Sequence, residues 1–158
     1  MKILVVGIGG VGGFFGGLLA KEYINNETVK IYFLARGKHL EAIKQDGLKI
    51  IHRDTFFIAH PHMASDSAQE IGPVDYVIIC TKSYDLKAVC NQIKPCIKSK
   101  TILLPLLNGV NNSELIQKEF QSNLVLQGFV FIVSRILEEG QIENMGNVQS
   151  LYFGIKNG

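Results

Sequence analysis

Met1-Lys2-Ile3-Leu4-Val5-Val6-Gly7-Ile8-Gly9-Gly10-Val11-Gly12 opens the chain. Residues 3–6 are a short unbroken apolar run, the pattern of a parallel strand covered on both faces. The run breaks at once into G-x-G-x-x-G, and residues 10–24 then take up helical spacing. Glycines so spaced also mark ordinary turns, and a turn that merely packs helix on strand is the plain alternative. Set between a strand and a helix, however, they form the dinucleotide fingerprint. The first permits a tight turn, the second lets a pyrophosphate reach the backbone, and the third lets helix and strand pack closely. Unpaired amides and the positive end of the helix dipole supply the attraction for phosphate.

Along that helix Val11, Phe14, Phe15, Leu18 and Leu19 make one apolar stripe. Gly12 and Gly16, four apart, leave another side bare, so that it can approach the sheet. After Asn25-Asn26, residues 29–34 read as the second strand, ending in Ala35-Arg36-Gly37-Lys38. The adenosine ribose belongs at this strand end, where an NAD site places Asp or Glu to accept from the 2′-hydroxyl. No acid is in reach, because Glu27 precedes the strand and lies at its other end. Arg36 instead suits a 2′-phosphate, which a guanidinium grips bidentately. One charge-assisted hydrogen bond contributes about 1.5–3 kcal/mol, a roughly ten- to hundredfold preference for NADPH. A solvated surface arginine is the bland alternative, and Lys38 either adds charge or faces solvent.

Further on, residues 37–45 read as a helix, 48–52 and 55–59 as a hairpin, and 65–70 as a short helix. A buried strand is expected at 74–80, a helix at 84–93, a strand at 102–104, and a helix capped by Asn112 or Ser113 running to Phe120. A long strand at 124–133 and shorter ones at 141–143 and 151–153 complete the pattern. The fold class is α/β: a Rossmann-type, doubly wound, mostly parallel sheet with an antiparallel extension at one edge. Lys82 and Asn108 fall at predicted strand ends, where ligands gather in such sheets. Lysine offers donors to ribose or phosphate oxygens, and asparagine both donates and accepts. Each, taken singly, also reads as a turn residue.

Composition narrows the classes. The 158 residues, 47% apolar and 19% charged, suit one globular domain. A net charge of +2 gives no reason to invoke nucleic acid or an anionic membrane. Residues 3–20 are uncharged, yet seven of those eighteen positions are glycine. Each glycine costs a helix about 1 kcal/mol relative to alanine, which argues against a membrane span or signal peptide. Cys80, Cys90 and Cys96 are odd in number and form no C-x-x-C pair, pointing to a reducing, cytoplasmic setting. His60 and His62 lack acidic or thiol companions at metal-site spacing, so no metal is expected.

The chain resembles the ketopantoate reductases (2-dehydropantoate 2-reductases) in KILVVGIGGVGG at 2–13, FLARG at 33–37, CTKSYD at 80–85 and LLPLLNGVNN at 103–112. GFVFIVSRILEEGQIENMGNVQSLYFG at 128–154 follows the family's layout before its second domain. The resemblance implies that Gly7, Ile8, Gly9, Gly10, Val11 and Gly12 hold the pyrophosphate of NADPH and Arg36 its 2′-phosphate. It further implies Lys82 near the cofactor, Asn108 by the nicotinamide ribose and the substrate, and Ser134 bringing backbone to the cofactor. The implied reaction reduces a small 2-oxo acid, ketopantoate, to pantoate on the route to pantothenate and coenzyme A. Family members are about twice this length, and their helical second domain supplies the catalytic lysine and most substrate contacts. Residues 1–158 are therefore expected to form an NADP-binding domain that binds cofactor but is catalytically incomplete, either a fragment or a truncated product. No catalytic residue is assigned within it, Lys156 included, and an oligomer is left open. Two other readings stay open: the NAD(P)-binding half of another 2-oxo acid, opine or sugar-phosphate dehydrogenase, and a non-catalytic dinucleotide sensor. A sensor has no evident need for polar groups such as Lys82 and Asn108 around a reacting carbonyl.

Overall fold

The computed structural model describes residues 1–109 and 111–155, so that Lys156 lies outside the described residues. Strand and helix alternate from the start: β1 (Lys2–Val6), α1 (Gly10–Glu22), β2 (Lys30–Leu34), α2 (Gly37–Asp46). A hairpin of β3 (Leu48–His52) and β4 (Thr55–Ala59) follows, then β5 (Met63–Ser65), α3 (Ala68–Ile71), β6 (Tyr76–Ile79) and α4 (Leu86–Gln92). The remainder is β7 (Ile102–Pro105), α5 (Asn112–Glu119), β8 (Gln127–Phe131), β9 (Ser134–Glu138), β10 (Gln141–Asn144) and β11 (Ser150–Gly154).

The central sheet runs β5-β2-β1-β6-β7 with every neighbour parallel. Alternate residues of its strands feed two cores, which is why these strands are apolar throughout. Leu4, Val6, Val77 and Ile79 meet Leu86 and Val89 of α4 and Ile116 of α5 on one face. Val5, Ile31 and Phe33 meet Phe14 of α1 and Leu40 and Ile43 of α2 on the other. The strand order reverses at β1, and a doubly wound sheet opens its ligand crevice at such a point.

A second sheet, β4-β3-β10-β9, lies across the far side of α1. The helix is thus held between two sheets, and glycines line both contacts. A Cβ on Gly16 would stand 3.1 Å from the Phe33 ring, and one on Gly12 2.8 Å from the Cys80 Cβ, as expected for the bare side. On the opposite side a Cβ on Gly13 would lie 2.6 Å from Ile142 Cγ1, and one on Gly17 2.8 Å from Ile50 Cδ1. The expected apolar stripe is corrected accordingly. Phe14 is buried, but Val11, Phe15 and Leu19 are only half-buried and Leu18 is exposed. A helix pressed from both sides makes contact through its backbone, so its larger side chains leave by the flanks.

The antiparallel strands divide between two places. Val125 forms a parallel bridge to Leu103 at the β7 edge, and β8 then continues into an antiparallel pair with β11, giving the extension expected there. The others make up the second sheet, in which β3 and β10 are parallel. Strands β5 and β9 were not foreseen, since Met-Ala-Ser is too short for a pattern and Ser-Arg-Ile-Leu-Glu is half charged or polar. No helix among the described residues is long and apolar enough to cross a membrane.

Neither Asn112 nor Ser113 caps α5; the N-cap is Asn111, with no side-chain bond. Asn112 instead turns back, its Nδ2 donating to the carbonyls of Leu107 (3.1 Å), Asn108 (3.0 Å) and Gly109 (2.9 Å). The residue is buried and its amide ties three successive turn carbonyls together, so removing it unties the turn and leaves a gap in the packing. Asn112→Ala is expected to cost about 1–3 kcal/mol in urea unfolding. Asn112→Asp keeps the shape but has no donor, and should lose as much; retention of stability by the aspartate variant would refute the tie.

Candidate functional site

Beyond the carboxyl ends of β1, β2 and β6 lies a crevice of about 390 Å³. Its β1 wall is the glycine turn. Gly7 has φ +85°, a left-handed conformation that strains other residues, and its amide donates to the Leu34 carbonyl at 3.2 Å. Gly9, the N-cap of α1, is extended, and a Cβ there would meet nothing within 4 Å. Its missing side chain is therefore open space on the crevice wall. The first helical amide with a backbone acceptor is that of Gly13, which reaches the Gly9 carbonyl at 2.7 Å. Among the described residues the amides of residues 9–12 have no such acceptor and no side chain caps the helix, and its first turn holds no acid. The result is an uncompensated helix N-terminus facing a cavity, which suits an anion.

The other fingerprint residues act from behind. Ile8 lies in the core, so only its backbone serves the crevice wall. Gly12 packs on the Gly7 carbonyl and Cys80. A Cβ on Gly10 would fall 2.7 Å from the Ser134 carbonyl carbon, so the start of β9 presses on the first turn of α1. Ser134 thereby stands at the glycine turn, as backbone. Val11 is half-buried and outside the crevice lining.

Arg36 is the extended N-cap residue of α2, exposed on the crevice rim beside Ala35. Among the described residues its guanidinium has no salt-bridge partner. Lys82 lies on the opposite wall after β6, also exposed, and Asp85 lines the crevice as well. Asn108 sits apart: it is on the exposed turn after β7 and does not line the crevice. Cys80 forms part of the floor, where burial pushes its thiol up to about 12 and keeps it protonated at neutral pH.

Buried polar atoms without partners gather around this turn. Thr81 Oγ1, His39 Nε2 and Ser134 Oγ are three of the four such side-chain atoms among the described residues. Thr81 sits against Gly7, since a Cβ on that glycine would come 2.8 Å from the Thr81 methyl. His39 and Ile136 line the crevice too and were not singled out from sequence. His39 carried a signal, one helical turn beyond Arg36; Ile136 came from a strand with no periodic pattern.

The model of the family "Ketopantoate reductase PanE/ApbA" matches residues 3–158. The chain is 37% identical over 159 residues to the "Uncharacterized oxidoreductase YkpB" of Bacillus subtilis, covering 100% of this chain and 50% of that protein. It is 37% identical over 110 residues to the 2-dehydropantoate 2-reductase of Mesorhizobium japonicum, covering 70% of this chain and 32% of that one. The crystal structure of 2-dehydropantoate 2-reductase from Porphyromonas gingivalis superposes with a TM-score of 0.92 at 36% identity, covering 98% of this chain and 54% of that one. The chain thus spans about half the length of the relatives it matches.

Proposed function

The chain belongs to the ketopantoate reductase family, and from that membership we propose that it is the NADPH-binding domain of a 2-oxo acid reductase of the ketopantoate type. The observation that carries the proposal is one crevice joining an uncapped glycine turn to Arg36, with no carboxylate at the end of β2. The residues fit a dinucleotide. Open space at Gly9 accommodates a pyrophosphate, free amides of the α1 N-terminus supply donors, and the orphaned Thr81 hydroxyl gains a partner.

On this reading the glycine turn binds the pyrophosphate, Arg36 holds the 2′-phosphate, and Lys82 donates to ribose or phosphate oxygens. Ser134 braces the first turn of α1 through its backbone, and Asn108 orients the nicotinamide ribose and the substrate from the β7 turn. When bound, the nicotinamide supplies the hydride for a ketone such as that of ketopantoate. This domain contributes positioning and electrostatics, while the proton donor and most substrate contacts belong to a second, helical domain. The outer face of β8 and β11 supports that division: Phe129 and Tyr152 stack at 4.9 Å beside Phe131, and all three rings are more than half exposed. Aromatic faces of this kind mark interaction surfaces.

Calorimetric titration tests the assignment. NADPH is expected to bind at least about tenfold more tightly than NADH, and ketopantoate-dependent NADPH oxidation by residues 1–158 alone should be negligible. Equal affinity for the two dinucleotides would remove the arginine argument. Robust turnover would show the domain to be complete in itself.

A further inference from the structure

His39 occupies a junction that the cofactor assignment leaves unexplained. It lies in the first turn of α2, three residues after Arg36, and lines the crevice alongside Gly9 and Arg36. Its Nδ1 accepts the Gly140 amide at 2.9 Å. Gly140 forms the turn between β9 and β10 with φ +74°, and a Cβ there would stand 2.9 Å from Ala42 Cβ, so this turn rests on α2 at two points. The same glycine's carbonyl accepts from the Lys49 amide at 2.8 Å, tying the turn into the second sheet. On the ring's other side Nε2 is buried without a hydrogen-bond partner among the described residues.

An Nδ1 that accepts from an amide leaves the neutral ring's proton on Nε2. Burial holds the ring's pKa below its ordinary value, outweighing the Ile8 carbonyl and the Glu139 carboxylate. Lys38 and Arg36 on its own helix add positive charge nearby, while Glu138 and Glu139 line the outer side. The imidazole is thus neutral near pH 7, with its proton on Nε2 and its Nδ1 accepting from Gly140. It joins the first turn of α2 to the second sheet, whose β9 in turn presses on the glycine turn at Gly10, so that the three keep their spacing for a dinucleotide to reach both ends of its site.

We propose that His39 is a positioning residue of the dinucleotide site, its Nδ1 bond to the Gly140 amide holding the helix start that carries Arg36 against the second sheet and so at a fixed distance from the glycine turn. The inference rests on the cofactor assignment above. Its effect falls on the 2′-phosphate end, so NADPH should suffer more than NADH.

Three variants test it, each titrated with NADPH and NADH after its melting temperature is measured. His39→Asn can present an acceptor where Nδ1 lies, whereas His39→Gln extends its amide to the Nε2 position and His39→Ala offers neither. The alanine and glutamine variants are expected to bind NADPH about five- to tenfold more weakly, and NADH less than about twofold more weakly. The asparagine variant should restore NADPH affinity to within about twofold of the parent. A long-range ¹H–¹⁵N spectrum of the parent should show Nδ1 unprotonated, with a shift when NADPH is added. Parental NADPH affinity in the glutamine and alanine variants, or an asparagine variant no better than alanine, would overturn the inference alone. If the parent binds neither dinucleotide, the cofactor assignment falls and the inference falls with it. Should alanine fail to fold, the comparison of asparagine with glutamine decides.

Discussion

Gly9→Asp is expected to preserve or raise the melting temperature while reducing NADPH affinity at least about a hundredfold. Gly9 is extended at the N-cap of α1, with nothing within 4 Å of where a Cβ would be. An aspartate therefore fits without strain, and at that position it is among the best capping residues. Its carboxylate would accept from the free first-turn amides and complement the helix dipole, worth about 0.3–1 kcal/mol. Those are the donors assigned to the pyrophosphate. A fixed negative charge 4 Å from a phosphate costs about 4 kcal/mol at an effective dielectric of 20, and each 1.4 kcal/mol is a factor of ten. Gly12→Val supplies the contrast. Its side chain would run into the Gly7 carbonyl and the Cys80 Cβ, and backbone cannot step aside as a side-chain tip can. That variant should lose on the order of 3 kcal/mol or more and melt well below the parent. Thermal melts and NADPH titrations of the two variants check both halves. Were Gly9→Asp to bind NADPH normally, the pyrophosphate would not lie at the first turn of α1.

The contrast between these two glycines also shows what the sequence discloses. Spacing alone distinguishes the turn glycine, the open glycine and the packing glycine, because a strand followed by a helix leaves only one geometry for G-x-G-x-x-G. Gly7, Gly9 and Gly12 accordingly take those three environments. Arg36 was legible for a similar reason, since the parallel register sets Leu34 beside Val6 and so brings the residues after both strands to one rim. Gly13 and Gly17 were not legible as a second contact face. Nothing local says that a distant strand, β10, will lie on α1, and a glycine without a visible neighbour reads as mere flexibility. His39 was missed on the same ground: its partner, Gly140, is a hundred residues away in sequence and emerges only once the second sheet forms. Asn112 misled differently, because a capping residue type at a helix start looks alike whether its side chain serves the helix or the preceding turn.

Arg36→Ala is expected to weaken NADPH binding about ten- to a hundredfold and to leave NADH binding within about twofold. The guanidinium is exposed at the crevice rim, caps α2 only through its backbone and has no salt-bridge partner among the described residues, so its removal should not disturb the fold. The loss corresponds to about 1.5–3 kcal/mol for a hydrogen bond to a charged group, felt only by the coenzyme that carries the extra phosphate. Arg36→Glu goes further, offering a carboxylate where an NAD site uses one to accept from the 2′-hydroxyl. It should reverse the preference, with NADH binding more tightly than NADPH. The sign with pH follows from the phosphate. Its second ionisation lies near 6, so the parent's preference for NADPH should be full above about pH 7 and shrink as pH falls through 6. In Arg36→Ala that dependence should flatten, and any part that remains belongs to other groups such as Lys38. Salt gives an independent check, because the Debye length shortens from about 10 Å at 0.1 M to about 3 Å at 1 M and screens an exposed pair. The NADPH preference of the parent should therefore narrow with added salt, whereas that of Arg36→Ala should hardly move. A parent whose preference survives both acid and salt unchanged would owe it to something other than this guanidinium.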